Sequence, residues 1–267
     1  MEIRMIAGLI GALIIGIVLG LIGGGGSILT VPILVYLLAI NPLLATAYSL
    51  FVVGITAAVG AVRNIQKKLV DLKTALVFAA PALIAVYTTR KFIVPAIPEE
   101  LFTVGSFMVS KNFGIMVFFA IIMLLASYSM IKKKKTVIEE EEEKQKFNYP
   151  LIMGEGFGVG VITGIVGAGG GFLIIPALVI LAKLPMKNAV ATSLLIIAIK
   201  SLIGFIGDVE NLVIDWTFLL TFSGLSVVGI FVGIYLNQFI DENKLKKAFG
   251  WFVLIMAIFI LLKETVL

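Results

Sequence analysis

The segment Gly23-Gly24-Gly25-Gly26-Ser27-Ile28-Leu29-Thr30-Val31-Pro32 returns 144 positions later as Gly167-Ala168-Gly169-Gly170-Gly171-Phe172-Leu173-Ile174-Ile175-Pro176. The chain is therefore one unit used twice, and any fold proposed for one copy must also serve the other. Without a gap, Ala45-x-Ala47-x-Ser49-Leu50 matches Ala189-x-Ala191-x-Ser193-Leu194, Gly60 matches Gly204, and Val70-Asp71 matches Ile214-Asp215. Lys111-Asn112-Phe113-Gly114 then matches Lys247-Ala248-Phe249-Gly250 at an offset of 136, so copy one carries about eight extra residues between Arg90 and Lys111.

The solvent for this duplication is lipid. Of 267 residues 60% are hydrophobic and 14% charged, against an apolar share of about 45–50% in soluble chains. The first apolar stretch is not followed by the small-residue cleavage site of a signal peptide, and it is expected to stay. A net charge of +5 would suggest nucleic acid in a soluble protein. Here the lysines lie in loops between apolar runs, where they orient the chain and meet anionic lipid, so no nucleic-acid partner is expected. There are no cysteines and no histidines. That removes disulfides, thiolate chemistry and His-based metal sites, and no cofactor or metal is expected.

A span needs roughly 20 apolar residues. Copy one offers stretches at 5–22, 28–40, 43–62, 73–89 and 112–131, and copy two at 150–166, 172–182, 188–206, 216–236 and 245–262. The expected fold is an all-α polytopic membrane protein with about 8–10 membrane segments. Residues 1–131 and 149–267 form the two repeats, joined by a charged cytoplasmic linker at 132–148. The stretch after each glycine run is too short for an ordinary span and reads as a glycine-broken helix or one arm of a re-entrant hairpin. Each copy then makes five crossings, or three plus a hairpin. Both counts are odd, so the copies should be inverted relative to one another.

Charge gives an independent test. With the linker inside, the cytoplasmic side collects Arg63, Lys67, Lys68, Lys73, Lys132 to Lys135, Lys144, Lys146, Lys183, Lys187, Lys244, Lys246 and Lys247. The outside keeps Arg4, Arg90, Lys91, Lys111 and Lys263. This bias follows the positive-inside rule and places both termini outside the cell membrane. Residues 92–109, interrupted by Pro95 and Pro98, are apolar enough to lie against the membrane or a partner, and a homodimer is considered.

The glycine runs resemble a phosphate loop only superficially, since no Gly-Lys-Ser/Thr follows. Matching breaks in apolar helices point instead to a carrier's binding site. A break leaves backbone N–H groups unpaired, and the helix restarting near Ile28 or Phe172 aims its positive end at the gap. Bare backbone within a bilayer is tolerated only where it is buried or lines a cavity. Two such ends meeting at the midplane would form an anion site from Gly24, Gly25, Gly26 and Ser27 with Gly169, Gly170 and Gly171. Alternatively the glycines only permit close helix packing.

Lys200 lies near the middle of an apolar helix, where a lysine costs at least ~2.5–3.5 kcal/mol. It is a candidate anion ligand, or else the partner of a buried acid. Its counterpart in copy one is Thr56. Glu155 either snorkels to the interface, pairs with Lys200 or takes up a coupling proton. Ser49 and Ser193 either donate to a ligand or bond back to their own helices. Asp71 and Asp215 read as N-caps, and Pro32 and Pro176 as first-turn prolines.

These motifs together resemble the sulfite exporter TauE/SafE family of membrane permeases. The resemblance rests on the duplicated glycine segments with Pro32 and Pro176, the Ala-x-Ala-x-Ser helices, and the Val/Ile-Asp pairs at 71 and 215. It covers nearly all of the chain except the linker and the insertion. It implies secondary transport of small sulfur-containing anions such as sulfite, sulfoacetate or other organosulfonates. A passive anion channel with the same lining is the alternative. A membrane-embedded enzyme is disfavoured because the residues that would do chemistry do not converge, and a non-transporting scaffold leaves Lys200 without a use.

Overall fold

The computed structural model describes residues 2–104, 107–131, 149–180, 182–237, 239 and 242–266. The linker at 132–148 lies outside the described residues. Copy one opens with α1 (Glu2–Ile22), a 3-10 turn (Gly24–Leu29), α2 (Thr30–Pro32) and a π-helical turn (Ile33–Leu37). It continues with α3 (Pro42–Gln66), α4 (Leu72–Thr88), a second π turn (Thr89–Ile93) and α5 (Val94–Ala96). The antiparallel strands β1 (Glu100–Val104) and β2 (Phe107–Ser110) then lead into α6 (Lys111–Ile131). Copy two comprises α7 (Tyr149–Val166), α8 (Gly171–Ile180), α9 (Met186–Val209), α10 (Trp216–Asn237) and α11 (Glu242–Val266).

Among the described residues, six helices are long and apolar enough to cross a membrane: Met5–Ile22, Pro42–Gln66, Leu72–Ala96, Lys111–Tyr128, Met186–Val209 and Trp216–Asn237. Gly26–Leu37 and Pro150–Val166 are shorter apolar helices. The expected eight to ten segments are reached by adding these two, then α8 and α11. The protein is a polytopic, predominantly helical membrane protein. The insertion in copy one carries the only strands among the described residues, a two-stranded hairpin with Phe102 and Met108 exposed.

Capping residues set the element starts. Asn41 accepts from Leu43 N at 2.9 Å and opens α3 with Pro42 behind it. Asp71 accepts from Thr74 N at 2.9 Å and Asp215 from Phe218 N at 3.0 Å, so both aspartates are N-caps. Pro32 closes α2, and because it has no N–H the ladder around it changes from 3-10 to π spacing. Pro176 differs from the first-turn expectation, since it stands inside α8.

Contacts between the copies occur in interchanged pairs. Helix α1 packs on α10 as α7 packs on α4, and α10 on α3 as α4 on α9. Helices α3 and α9, α6 and α11, and the two glycine segments each pack on their own counterpart. Single residues obey the same exchange. Asp71 N–H donates to Thr192 Oγ1 at 3.0 Å, and Asp215 N–H to Tyr48 Oη at 2.8 Å. Gly60 faces Ile230 and Leu194, and Gly204 faces their counterparts Val86 and Leu50. The α1–α10 crossing is close. A Cβ on Gly16 or Gly20 would stand 2.9 Å from the Cα of Gly229 or Gly233, a small-residue contact of the kind lipid-embedded helices use.

Candidate functional site

The first break is a single residue. Gly23, at φ 74°, ends α1 in a backbone conformation that glycine adopts readily. The helix restarts at Gly24, as a 3-10 turn and earlier than the expected Ile28. The chain then doubles back along α1. Gly8 faces Leu38, Gly11 faces Ile33, and Gly26 packs on the backbone of Val18 and Leu19. The second break is longer, with positive φ at Gly167, Gly169 and Gly170. Gly170 N–H donates to Ala168 O at 2.7 Å, and the Leu173 and Ile174 N–H groups both reach Gly170 O at 3.0 Å. Among the described residues the amides of Gly169, Gly171 and Phe172 have no backbone acceptor.

The two breaks touch. The backbones of Gly24 and Gly171 are in such close contact that neither position has room for a Cβ. Gly169 lies beside Ser27 and Val53, while Gly24 lies beside Ile197. Lys200 enters this junction from α9. It is fully buried, a Cβ on Gly170 would stand 2.8 Å from its Nζ, and Nζ donates to Thr163 Oγ1 at 2.6 Å. Among the described residues Lys200 forms no ion pair. A hydroxyl accepts one N–H bond but carries no countercharge, so the amine of Lys200 is left without a carboxylate partner among the described residues. Chemically, the junction offers an anion the amine of Lys200, the Thr163 hydroxyl and amides that have no backbone acceptor among the described residues.

The structure thus brings Gly24, Ser27, Gly169, Gly170, Gly171 and Lys200 together. Gly25 belongs to the same 3-10 turn, while Gly26 faces α1. The Ser27 hydroxyl donates to Gly24 O at 2.8 Å and that of Ser193 to Val190 O at 2.8 Å, so both bond back to their own segments. Ser49 is fully buried and its Oγ has no partner among the described residues. Glu155 does not pair with Lys200. It sits on α7 eight residues before Thr163, about 12 Å along the helix, half-buried and with Oε2 unpartnered among the described residues.

Sequence reasoning missed two features. Thr163 was invisible as a ligand because a threonine in an apolar helix usually bonds back to its own carbonyls, as this one also does to Val159 O at 2.7 Å. Arg90 was counted among the outside charges just past an apolar stretch, and it is fully buried. The π turn Thr89–Ile93 prolongs α4 and turns the arginine inward, where Nη1 donates to Thr46 Oγ1 at 3.0 Å and lies 3.4 Å from Asp208 Oδ2. Asp208, at the end of α9, is thus a buried acid, 3% exposed.

The comparisons with known proteins agree with this architecture. The family model "Sulfite exporter TauE/SafE" matches residues 8–260. A probable membrane transporter protein of Xylella fastidiosa is 27% identical over 251 residues, covering 93% of this chain and 91% of its own. Probable membrane transporter protein YunE of Bacillus subtilis is 30% identical over 263 residues, covering 94% and 92%. One from Methanocaldococcus jannaschii is 36% identical over 116 residues, covering 41% of this chain and 43% of its own. No solved structure matches. A family match over almost the whole chain, carried by a duplicated, glycine-broken helical fold, identifies the protein as a membrane transporter of the TauE/SafE sulfite exporter family.

Proposed function

We propose that the protein is a secondary carrier that moves small sulfur-containing anions, such as sulfite, sulfoacetate or other organosulfonates, across the cell membrane by alternating access. The observation that carries this reading is the burial of Lys200 at the junction of the two glycine breaks, with a hydroxyl as its partner and no ion pair to an acid among the described residues. A small oxyanion suits that arrangement. Its charge would offset the lysine's desolvation, and its several oxygens can take the amides at Gly169, Gly171 and Phe172 while accepting from Lys200 Nζ. Ser49, on a helix that touches the first break, supplies a further hydroxyl.

Contact between Gly24 and Gly171 favours a carrier over a passive channel. With the two backbones touching, the path between the breaks is shut, and passage requires the copies to move relative to one another. The interchanged contacts supply two similar bodies that could rock about this junction, as inverted-repeat carriers do. The odd crossing number and the lysine asymmetry support an inverted arrangement, with both termini outside and the 132–148 linker inside. Coupling to an ion gradient would give the movement direction, and Glu155 is the candidate for taking up a proton. The membrane boundary of each repeat is then 1–131 and 149–267.

The test is flux of radiolabelled sulfite and sulfoacetate into proteoliposomes carrying the purified protein. Saturable flux that follows an imposed ion gradient and is lost in Lys200→Met is the expected result. Flux that never saturates and ignores every gradient would establish the channel. Normal transport by Lys200→Met would remove the lysine from the site.

A further inference from the structure

A second buried cation stands at the other end of the longer break. Arg90 donates from Nη1 to Thr46 Oγ1, and Thr46 is the residue against which Gly167 packs. Lys200 touches Gly170, so the second break runs from one cation's neighbour to the other cation. The first break has neither, because the counterparts of Lys200 and Arg90 are Thr56 and Ile234.

Arg90 is also under-satisfied. Its side chain is fully buried, yet Nε and Nη2 have no partner among the described residues. Among the described residues its single carboxylate contact is the 3.4 Å approach to Asp208 Oδ2, which is too long for a good charge-assisted bond, and that oxygen accepts no hydrogen bond either. Buried donors are rarely left in this state. The orphaned Nε–Nη2 edge is the side-on fork that takes two oxygens of a carboxylate, sulfonate or sulfite at once.

Asp208, which faces the guanidinium at Nη1, also lines a cleft of about 220 Å³ together with Lys111, Asn211, Leu43 and Pro95. Lys111 is 3% exposed and held loosely, with Nζ 3.8 Å from Glu99 Oε1. The cleft lies where α3 and α6 begin and α9 ends, the end of the molecule assigned to the outside by the lysine distribution. A cation, an amide and a floor carboxylate with no strong hold on its arginine make a site in which an incoming oxyanion can replace Asp208.

We propose that Arg90 is a second anion station, separate from Lys200, at which a sulfur oxyanion captured beside Lys111 and Asn211 displaces Asp208 from the guanidinium before moving along the second break. This rests on the reading of the junction as an oxyanion site. Asp208 then acts as an internal competitor for the guanidinium, and removing its charge must tighten binding, which a purely structural ion pair would not do.

The experiment is equilibrium binding of radiolabelled sulfite to the purified full chain, with thermal unfolding in parallel. Asp208→Asn should bind sulfite roughly five-fold or more tightly than the parent. Arg90→Gln/Asp208→Asn should lose that gain and fall below the parent, while purifying as a single species because both buried charges are gone. Should Asp208→Asn alone not purify, the double variant against the parent decides. At least about five-fold weaker binding at an unchanged ligand-free Tm supports the station, and equal affinity overturns it. Lys200→Met, measured alongside, separates this inference from the junction reading. Weakened binding in Lys200→Met with no difference between Asp208→Asn and the double variant overturns the Arg90 station alone. A gain in Asp208→Asn with parental binding in Lys200→Met supports the Arg90 station and removes Lys200. Sulfite binding by none of the proteins overturns both.

Discussion

Lys200 and Thr163 allow a functional cation to be told from a structural one, because the two side chains should respond in opposite ways. Replacing Lys200 by Met takes a charge out of a dry interior and keeps an unbranched stem, so ligand-free stability should hold or rise while sulfite-induced stabilisation disappears. Thr163→Val keeps the shape but strips the ammonium of its acceptor. Ligand-free stability should fall by about 1.5–3 kcal/mol, the worth of a hydrogen bond to a charged group, and the sulfite-induced shift should persist because the anion becomes the lysine's remaining partner. Thermal unfolding with and without sulfite reads both, and a Lys200→Met protein less stable than its parent would make the lysine structural. The N-caps behave differently again. Asp71→Ala and Asp215→Ala each remove one accepted N–H bond and should cost about 1 kcal/mol without changing the ligand shift; a lost shift in either would give that aspartate a role in binding. Lys200 was legible from sequence because an ammonium in a long apolar run has no other cheap explanation. Arg90 was not, since it is followed by Lys91 and two prolines and reads as a helix running out into solvent, and no local pattern announces the π turn that buries it.

The glycine breaks show how a shared sequence motif becomes two different elements. Their apolar context and doubling were visible in the sequence, and so were helix limits within a few residues, because the interruptions in hydrophobicity coincide with Gly, Asn, Asp and Pro. Backbone geometry was not. Gly23 alone breaks the first copy, whereas Gly167, Gly169 and Gly170 all take positive φ in the second, and Ala168 standing where copy one has Gly24 is the sole sequence difference among the first four residues that bears on it. The β-hairpin was equally hidden, since its eight-residue insertion has no counterpart against which to be read. Contact between Gly24 and Gly171 gives a prediction free of conformational strain, as neither has a positive φ. Gly24→Ala and Gly171→Ala must push the two breaks apart, and sulfite-induced thermal stabilisation should be lost in both while each still purifies as one species. Gly154 and Gly158 on α7 have no described atom within 4 Å of an added Cβ, so alanine there should be neutral or stabilise by up to ~1 kcal/mol through helix propensity and keep the shift. Retention of the full shift in Gly24→Ala and Gly171→Ala would mean the contact serves packing alone.

Two copies that exchange contacts so consistently could be related by an axis in the membrane plane or by one along its normal, and the loops distinguish the two. The α3–α4 turn carries Arg63, Lys67, Lys68 and Lys73 near it, whereas the corresponding α9–α10 turn carries Asp208, Glu210 and Asp215. Parallel copies would put both turns on one side and waste this difference. Inverted copies put the cationic turn inside and the acidic turn outside, as positive charge near span ends dictates. The absence of native cysteine makes single-cysteine labelling clean. Lys68 is exposed in the first turn and Val213 is 94% exposed in the second. In intact cells a membrane-impermeant maleimide should label Val213→Cys and leave Lys68→Cys untouched until the membrane is opened. Labelling of both from outside, or of neither, would require parallel copies, and the rocking of two opposed bodies about the Gly24–Gly171 contact would then give way to a motion in which both breaks open toward the same face.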